Sequence, residues 1–449
     1  MIAAGARDVL LLEIQDGESL AYNNPYENLR LAAIDASLRR NGIRPVYVSE
    51  PELAACLATA RRPLLVVDAF FRVGTGLLSS LRAAREVSSS VEIMCFGRAA
   101  KELSQSPELT ELIDHFEFLD EVAEVSRRIL GSQHDWSSTT PHRQTSHTSL
   151  ERGVIDIEAT RGCEHGCTFC GVDVADGGRL RRWRPREPSK VVDEMERLHR
   201  TTGVARFQFI DDNFLGSPQH APGWVAEFAR EVEQRRFEPA FSVYARLDRT
   251  LAATLDCLCH AGLIQVHAGV ESGSDSVLQR LRKGLDTRQM ELSIGELRSR
   301  RVELVASLIV FEQRMSAAEL SESLSWIRLV ELERFFSLTS ALPLAGTTLR
   351  DELQAGGIAI DVRPSSLHVP TARTFDYEEV AEAWRFARGW ESERDAEENL
   401  GLEPLMRARF SYEERLSVID DPQPPWLHAL RSFRARQIDA LKEFAGATR

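Results

Sequence analysis

The feature that most constrains the fold is an alternation of short apolar runs with helical stretches, interrupted once by a polar segment near position 140. Before the interruption, Val9 to Ile14, Val46 to Val48, Leu64 to Asp68, Val91 to Phe96 and Phe116 to Leu119 read as strands. Helical spacing lies between them, as in Tyr26 to Arg40, which stops at Asn41-Gly42. This pattern predicts an α/β domain, a doubly wound, Rossmann-like parallel sheet. Ser132 to Ser149 is rich in Ser, Thr, His and Pro without apolar periodicity and reads as a linker. Its His134, His142 and His147, with the more distant His115, are too irregularly spaced for a metal set and read as solvated. Six further strands follow: Val154 to Ala159, Arg206 to Ile210, Ala240 to Ala245, Ile264 to Val270, Glu303 to Phe311 and Phe335 to Ala341. Strand–helix units with polar residues at their strand C-termini predict a partial (β/α)6 TIM-like barrel with its site on that face. After Gly356-Gly357 the chain is polar and helical, clearest in Tyr377 to Arg388, Arg394 to Leu400 and Pro425 to Phe444. The expected division is residues 1–131, a linker at 132–150, a core at 151–357 and a helical C-terminal cap at 358–449.

The first barrel strand delivers Arg161-Gly162-Cys163-Glu164-His165-Gly166-Cys167-Thr168-Phe169-Cys170, three cysteines within eight residues. Three thiolates at these spacings can hold a cubane [4Fe–4S] cluster and leave one iron open, which implies chemistry at that iron. Zinc is the alternative, but it prefers four closed ligands, and the fourth would have to be His165 or something distant. The remaining four of the seven cysteines are scattered, which does not suggest a disulfide framework. A net charge of −13 gives no broad attraction to nucleic acid or to an anionic membrane. No apolar run approaches the roughly 20 residues of a membrane span, and Met1 to Asp8 lacks a signal core, so a cytoplasmic location is expected.

The Cys-x3-Cys-x2-Cys run, with Phe169 before the last cysteine, resembles the signature of the radical S-adenosylmethionine (SAM) superfamily. That resemblance implies that Cys163, Cys167 and Cys170 ligate a [4Fe–4S] cluster whose open iron chelates SAM and cleaves it to a 5′-deoxyadenosyl radical. The strand ends carry matching motifs. Asp211-Asp212-Asn213-Phe214 stands where the family contacts the SAM amino group, and Arg246 is suited to its carboxylate. Gly269-Val270-Glu271-Ser272-Gly273-Ser274 is similar to the fourth-strand motif, whose Glu and Ser contact the ribose or amino-acid part. The fifth-strand turn departs from the family's Gly-Phe-Pro-Gly-Glu-Thr: here the chain reads Ile309-Val310-Phe311-Glu312-Gln313-Arg314-Met315. Val310 or Phe311 would then face adenine, and Glu312 and Arg314 a polar substrate or solvent.

Ahead of the barrel, the proline-led stretch Asn24 to Ala33 resembles the cobalamin-binding domain of the cobalamin-dependent subgroup. Phe96-Gly97-Arg98-Ala99-Ala100 and Phe118-Leu119-Asp120-Glu121 stand where glycine-rich turns approach the cofactor. They imply a filled or reshaped pocket, so the sequence weighs against cobalamin. With that pocket degenerate, the chain is similar to the radical SAM diol-dehydratases of aminoglycoside biosynthesis. This implies a lyase of antibiotic biosynthesis acting on an aminoglycoside or another sugar-containing metabolite. The alternatives are a cobalamin-dependent C-methyltransferase, and an epimerase using Cys257 or Cys259 as hydrogen donor; a non-catalytic cluster-bearing regulator is the reading from another class. An electron donor such as flavodoxin or ferredoxin, and a reductase partner, are implied; nucleic acid and membrane are not. Tyr244 and His267 lie on barrel strands, where they could point inward toward substrate.

Overall fold

The computed structural model describes residues 7–13, 29–69, 75–97, 100–117, 121–131, 140–142, 153–173, 182–235, 237–336, 339–361, 371–372, 375–388 and 425–447. The predicted Arg394 to Leu400 helix, Asn24 to Asn28, most of the linker, and residues 98–99 and 118–120 of the two turns lie outside these residues.

The N-terminal sheet comprises β1 Val9–Glu13, β2 Val46–Ser49, β3 Leu64–Asp68, β4 Glu92–Phe96 and β5 His115–Glu117. All its pairings are parallel, in the order β2-β1-β3-β4-β5, one of the two common doubly wound orders. The alternation of side chains explains why the runs are apolar throughout. Leu65 and Val67 pack with Leu53 and Leu57 of helix α1 (Glu50–Thr59) and with Leu77 and Leu81 of α2 (Thr75–Val87). Leu64 and Val66 turn the other way, onto Leu31, Ile34 and Leu38 of the helix Leu29–Arg40 and Val125 and Ile129 of the helix Glu121–Leu130.

Two of the histidines read as solvated are engaged. His142 hydrogen-bonds Asp35 through Nδ1 (2.8 Å), while its amide donates to Ala32 (3.1 Å), so this piece of the linker is docked on the Leu29–Arg40 helix. His115 meets Glu92 at 2.8 Å. A buried carboxylate at Asp35, not visible in a linear reading, draws the linker histidine in.

The second sheet is also parallel. Its strands are β6 Ile155–Ile157, β7 Arg206–Phe209, β8 Ala240–Tyr244, β9 Leu263–Glu271 and β10 Glu303–Leu308, in the order β10-β9-β8-β7-β6. Among the described residues the sixth predicted strand forms one bridge, Phe311 with Ser340, made by two backbone bonds of 3.0 Å, and Glu333–Phe335 is a 3-10 turn. Outside the sheet, α3 (Pro188–Thr202) and α4 (Ala221–Gln234) present Val191, Val192, Trp224 and Phe228 to Phe207, Phe209 and Phe241. Phe228 sits 5.9 Å from Phe209 and 5.8 Å from Phe241, edge to face. α5 (Arg249–His260), α6 (Asp275–Arg280), α7 (Thr287–Ser299) and α8 (Ala317–Leu329) follow, with α9 (Thr348–Ala355) after the bridge. α10 (Glu378–Arg388) and α11 (Pro425–Ala447) add Val380, Ala383, Ile438 and Leu441 to the same core, so the described tail helices pack with the barrel.

The opposite face of this sheet is polar. Strand register places Asp156, Gln208, Ser242, Gln265 and Glu303 side by side across all five strands. One pleat further on lie Tyr244, His267 and Val305. Barrel interiors are commonly filled by Val, Ile and Leu; this one carries hydrogen-bonding groups toward the face where the strands end.

Candidate functional site

The cysteine loop leaves β6 and is fixed from both sides. Asp211, after β7, accepts the amides of Ala159 (2.9 Å) and Thr160 through one oxygen. Asp212 accepts the Gly162 amide at 3.1 Å. Arg161 and Glu158 form a buried fork-to-fork pair at 2.9 and 2.6 Å. Burial would raise the Glu158 carboxyl, but Arg161, with Arg30 and Arg186, holds it below the usual range. Asp211 goes the other way: burial, aided by neighbouring Glu158, pushes it up to about 7 against the two amide bonds. Further along, Thr168 donates its amide to Leu281 (3.0 Å) and accepts that of Leu349 (2.9 Å), tying the loop to α6 and α9.

Within the loop, Cys163 and Cys170 are half-buried around Val172 and Cys167 is buried. Burial pushes the Cys163 thiol up, opposed by the Asn213 amide and by Arg246. Side-chain nitrogen donors reach two of the sulfurs: Asn213 Nδ2 lies 3.4 Å from Cys163 Sγ and Arg246 Nη1 lies 3.5 Å from Cys167 Sγ. His165, between the cysteines, is lowered to about 4 by burial and by Arg246, and so is neutral at pH 7. Among the described residues no three His, Cys, Asp or Glu side chains are grouped to share one metal ion. A cubane does not require that, because each thiolate binds its own iron. Soft sulfur ligands on one loop, with N–H donors aimed at them, fit such a cluster.

Around the loop stand the other strand ends. Arg246 follows β8; its second terminal nitrogen donates to the Lys283 carbonyl, and its Nε lies 3.5 Å from Asp248, which also caps α5. Glu271 ends β9 with φ of +68°, a conformation side chains rarely adopt, and accepts from Lys283 Nζ at 2.9 Å. Gly269 makes room for that pair, since a Cβ there would stand 2.1 Å from the Glu271 oxygen and 2.9 Å from the Lys283 nitrogen. Ser272 donates to Ser323 of α8 (3.2 Å), and the Gly273 amide bonds the same hydroxyl (2.9 Å). Phe169 packs on the main core, and Phe214 is buried 5.0 Å from Phe209. Below these, the Tyr244 and His267 rings lie 4.7 Å apart, tilted by 32°, and His267 Nε2 meets Gln265 Oε1 at 2.7 Å.

The structure thus gathers Cys163, Cys167, Cys170, Asn213, Arg246 and Glu271 at one barrel mouth, while Asp211, Asp212 and Ser272 bond the protein itself. Lys283 was missed by the sequence reading. Nothing local marks it, since it stands between Arg282 and Gly284 in a charged turn; only the fold shows that it is buried, at 4% exposure.

Two expectations are corrected. Glu312 does not open onto substrate or solvent: it is fully buried and binds Arg280 (3.1 Å) and Arg314 (2.8 Å), and the partly exposed Arg314 continues to Glu352 (2.8 Å). With glycine and proline gone from this turn, an ion network secures it. Nearby Phe311 is buried in the core against Phe375. Cys257 and Cys259 sit on the outer helix α5, the first exposed and the second packed on the core from outside, which removes them as hydrogen donors within the barrel.

Comparison with known proteins agrees with this geometry. A family model described as the radical SAM superfamily matches residues 157–327. Cytidylyl-2-hydroxyethylphosphonate methyltransferase of Streptomyces wedmorensis is 30% identical over 257 residues, covering 54% of this chain and 46% of that protein. The 4′-phospho-dehydrooxetanocin synthase of Priestia megaterium is 26% identical over 44% of this chain and 28% of its own length. The chain spans less than half the length of these curated relatives. Among solved structures, the cobalamin-dependent SAM radical enzyme OxsB, with aqua-cobalamin and SAM bound, superposes with a TM-score of 0.71 at 15% identity, covering 98% of this chain and 72% of its own. The radical SAM methyltransferase TsrM of Kitasatospora setae gives 0.61 at 16% identity over 80% and 79%. The cysteine loop and the strand-end residues thus lie within a segment, residues 157–327, that matches the radical SAM superfamily, in a fold built as a Rossmann-like domain, a partial barrel and C-terminal helices.

Proposed function

We propose that this chain is a radical SAM enzyme that takes hydrogen from a small polar substrate held at the barrel mouth. The observation that carries the reading is the convergence of three cysteines with Asn213, Arg246 and Glu271 on one set of strand ends. A [4Fe–4S] cluster on Cys163, Cys167 and Cys170, with SAM on its open iron and one electron from a donor such as flavodoxin or ferredoxin, supplies a 5′-deoxyadenosyl radical. The chain's own share is placement. Glu271, fixed by Lys283, offers an acceptor to the amino or ribose groups of SAM, and Arg246 offers a guanidinium to its carboxylate. The polar register of the barrel interior, with Tyr244 and His267 above it, supports a substrate carrying hydroxyl or amino groups, as in sugar-containing metabolites. Packing of α10 and α11 on the barrel core supports a role in excluding water.

For the fate of the substrate radical we retain two reactions. Methyl transfer with cobalamin is supported by the methyltransferase relative and by a fold shared over 98% of the chain with a cobalamin enzyme. These outweigh the case against cobalamin made from the turns alone. Of those turns, Gly97 is described, and it is required by the chain itself, since a Cβ would meet Ala69 O at 2.7 Å. Dehydration of a diol is the second reaction, supported by the polar interior. Anaerobic reconstitution with iron, sulfide and hydroxocobalamin, then dithionite and SAM, tests both levels. Formation of 5′-deoxyadenosine supports the radical SAM reading, and its absence from a protein holding four irons defeats it. Stoichiometric cobalt selects methyl transfer, whereas cobalt-free protein active on a diol selects dehydration.

A further inference from the structure

The sequence reading gives Asn213 and Arg246 to SAM, yet each has a nitrogen donor on a cysteine sulfur, at 3.4 and 3.5 Å. Both donors are held by other bonds. Asn213 is buried, and its Oδ1 accepts the Leu215 amide at 3.2 Å, which leaves Nδ2 turned toward Cys163. Arg246 is buried, anchored on the Lys283 carbonyl and set beside Asp248, which leaves Nη1 turned toward Cys167. Charged groups around this spot include Arg246 with its neighbour Asp248, the Lys283–Glu271 pair, and Asp212 on the Gly162 amide. His165, lying 3.8 Å from Asp248, is uncharged at neutral pH.

We propose that Asn213 and Arg246 set the reduction potential of the cluster by donating N–H···S hydrogen bonds to the Cys163 and Cys167 thiolates. This inference rests on the cysteine loop holding a [4Fe–4S] cluster. A cluster with three cysteine ligands gains negative charge when it accepts one electron, and that charge is shared with its sulfurs. Donors fixed on two of the three thiolates stabilise the reduced form more than the oxidised form, and so raise the potential. Because they act on sulfur, their effect is present before SAM binds. That separates this role from the orientation of SAM.

The test is a redox titration of the reconstituted full chain without SAM, poised with dithionite through mediators and read by EPR of the reduced cluster. Asn213→Asp keeps the oxygen that holds Leu215 but replaces the donor with a carboxylate; Arg246→Lys keeps the charge and shortens the reach; Arg246→Gln removes the charge. Arg282→Gln removes an arginine that is half exposed and paired with Glu352, and serves as control. At the wild-type midpoint the reduced-to-oxidised ratio should fall about tenfold in Asn213→Asp and Arg246→Gln, equivalent to about 59 mV for one electron. Arg246→Lys should fall between them and wild type, and the control should not move. Unchanged midpoints in Asn213→Asp and Arg246→Lys, each holding four irons, would overturn the proposal while leaving the radical SAM reading intact. Failure of the wild-type chain to take up a cluster would instead defeat that reading.

Discussion

In the N-terminal sheet both faces of each central strand are apolar and covered by helices, so Leu64 and Val66 serve one core and Leu65 and Val67 another. The barrel sheet covers only one face with helices, and its other face aligns Asp156, Gln208, Ser242 and Gln265 in register. The same parallel architecture therefore serves two purposes. In the first domain, side-chain alternation is spent on stability; in the second, half of it is released to line a site. Ion pairs follow that division: Arg161–Glu158, Arg186–Glu194 and Lys283–Glu271, with both partners buried, belong to the barrel, whereas the buried Asp35 of the first domain pairs with a partly exposed Arg39. Removing one partner of such a pair leaves the other charge uncompensated, so these pairs fix geometry more than they add stability.

The difference can be broken most severely at the cysteine loop. Cys167→Ala should abolish SAM cleavage outright, with the iron content of the reconstituted protein falling toward zero and the secondary structure unchanged by circular dichroism. A cavity in the other domain should do the reverse. Leu65→Ala should cost about 2–5 kcal/mol in denaturant unfolding, and the folded fraction should still take up iron and cleave SAM.

Between these lies Asp211, which latches the β6 exit with a carboxyl raised from 3.8 to about 7. Its folded form holds a proton that the unfolded chain has released. Stability is therefore lost as pH climbs from about 4 to about 7, by up to about 1.4 kcal/mol per pH unit. Asp211→Asn should flatten the melting temperature between pH 5 and pH 8, because the amide oxygen still accepts from Ala159 and Thr160. A wild-type profile that does not fall over that interval would contradict this account. The smallest effect is expected at the pair supporting the site. Lys283→Met should raise KM for SAM about tenfold, roughly 1.4 kcal/mol, and Lys283→Arg should restore part of it; equal values in both variants would detach the pair from SAM.

Much of this was legible in the sequence, and the exceptions share a cause. Strand positions and the cysteine loop could be read because periodicity and spacing are local properties, as in the run Leu64 to Asp68 and the Cys-x3-Cys-x2-Cys segment. The sixth barrel strand looked equally apolar, yet among its described residues it pairs at Ser340 alone, since pairing depends on a partner 29 residues away at Phe311. Side-chain partnership was the least legible property. Nothing in Glu312-Gln313-Arg314 announces that Arg280 and Glu352 will claim both charges, nor that Lys283 will fill the space above Gly269. His142 docks on Asp35, 107 positions earlier in the chain, by the same kind of long-range contact.

The most direct test of the central claim is EPR of the dithionite-reduced, reconstituted protein, recorded with and without SAM. One [4Fe–4S] cluster per chain should give a signal whose line shape changes when SAM is added, as an iron left open by three cysteine ligands requires. A cluster signal that SAM leaves unaltered, or a chain whose three cysteines bind zinc and take up no cluster, would contradict it.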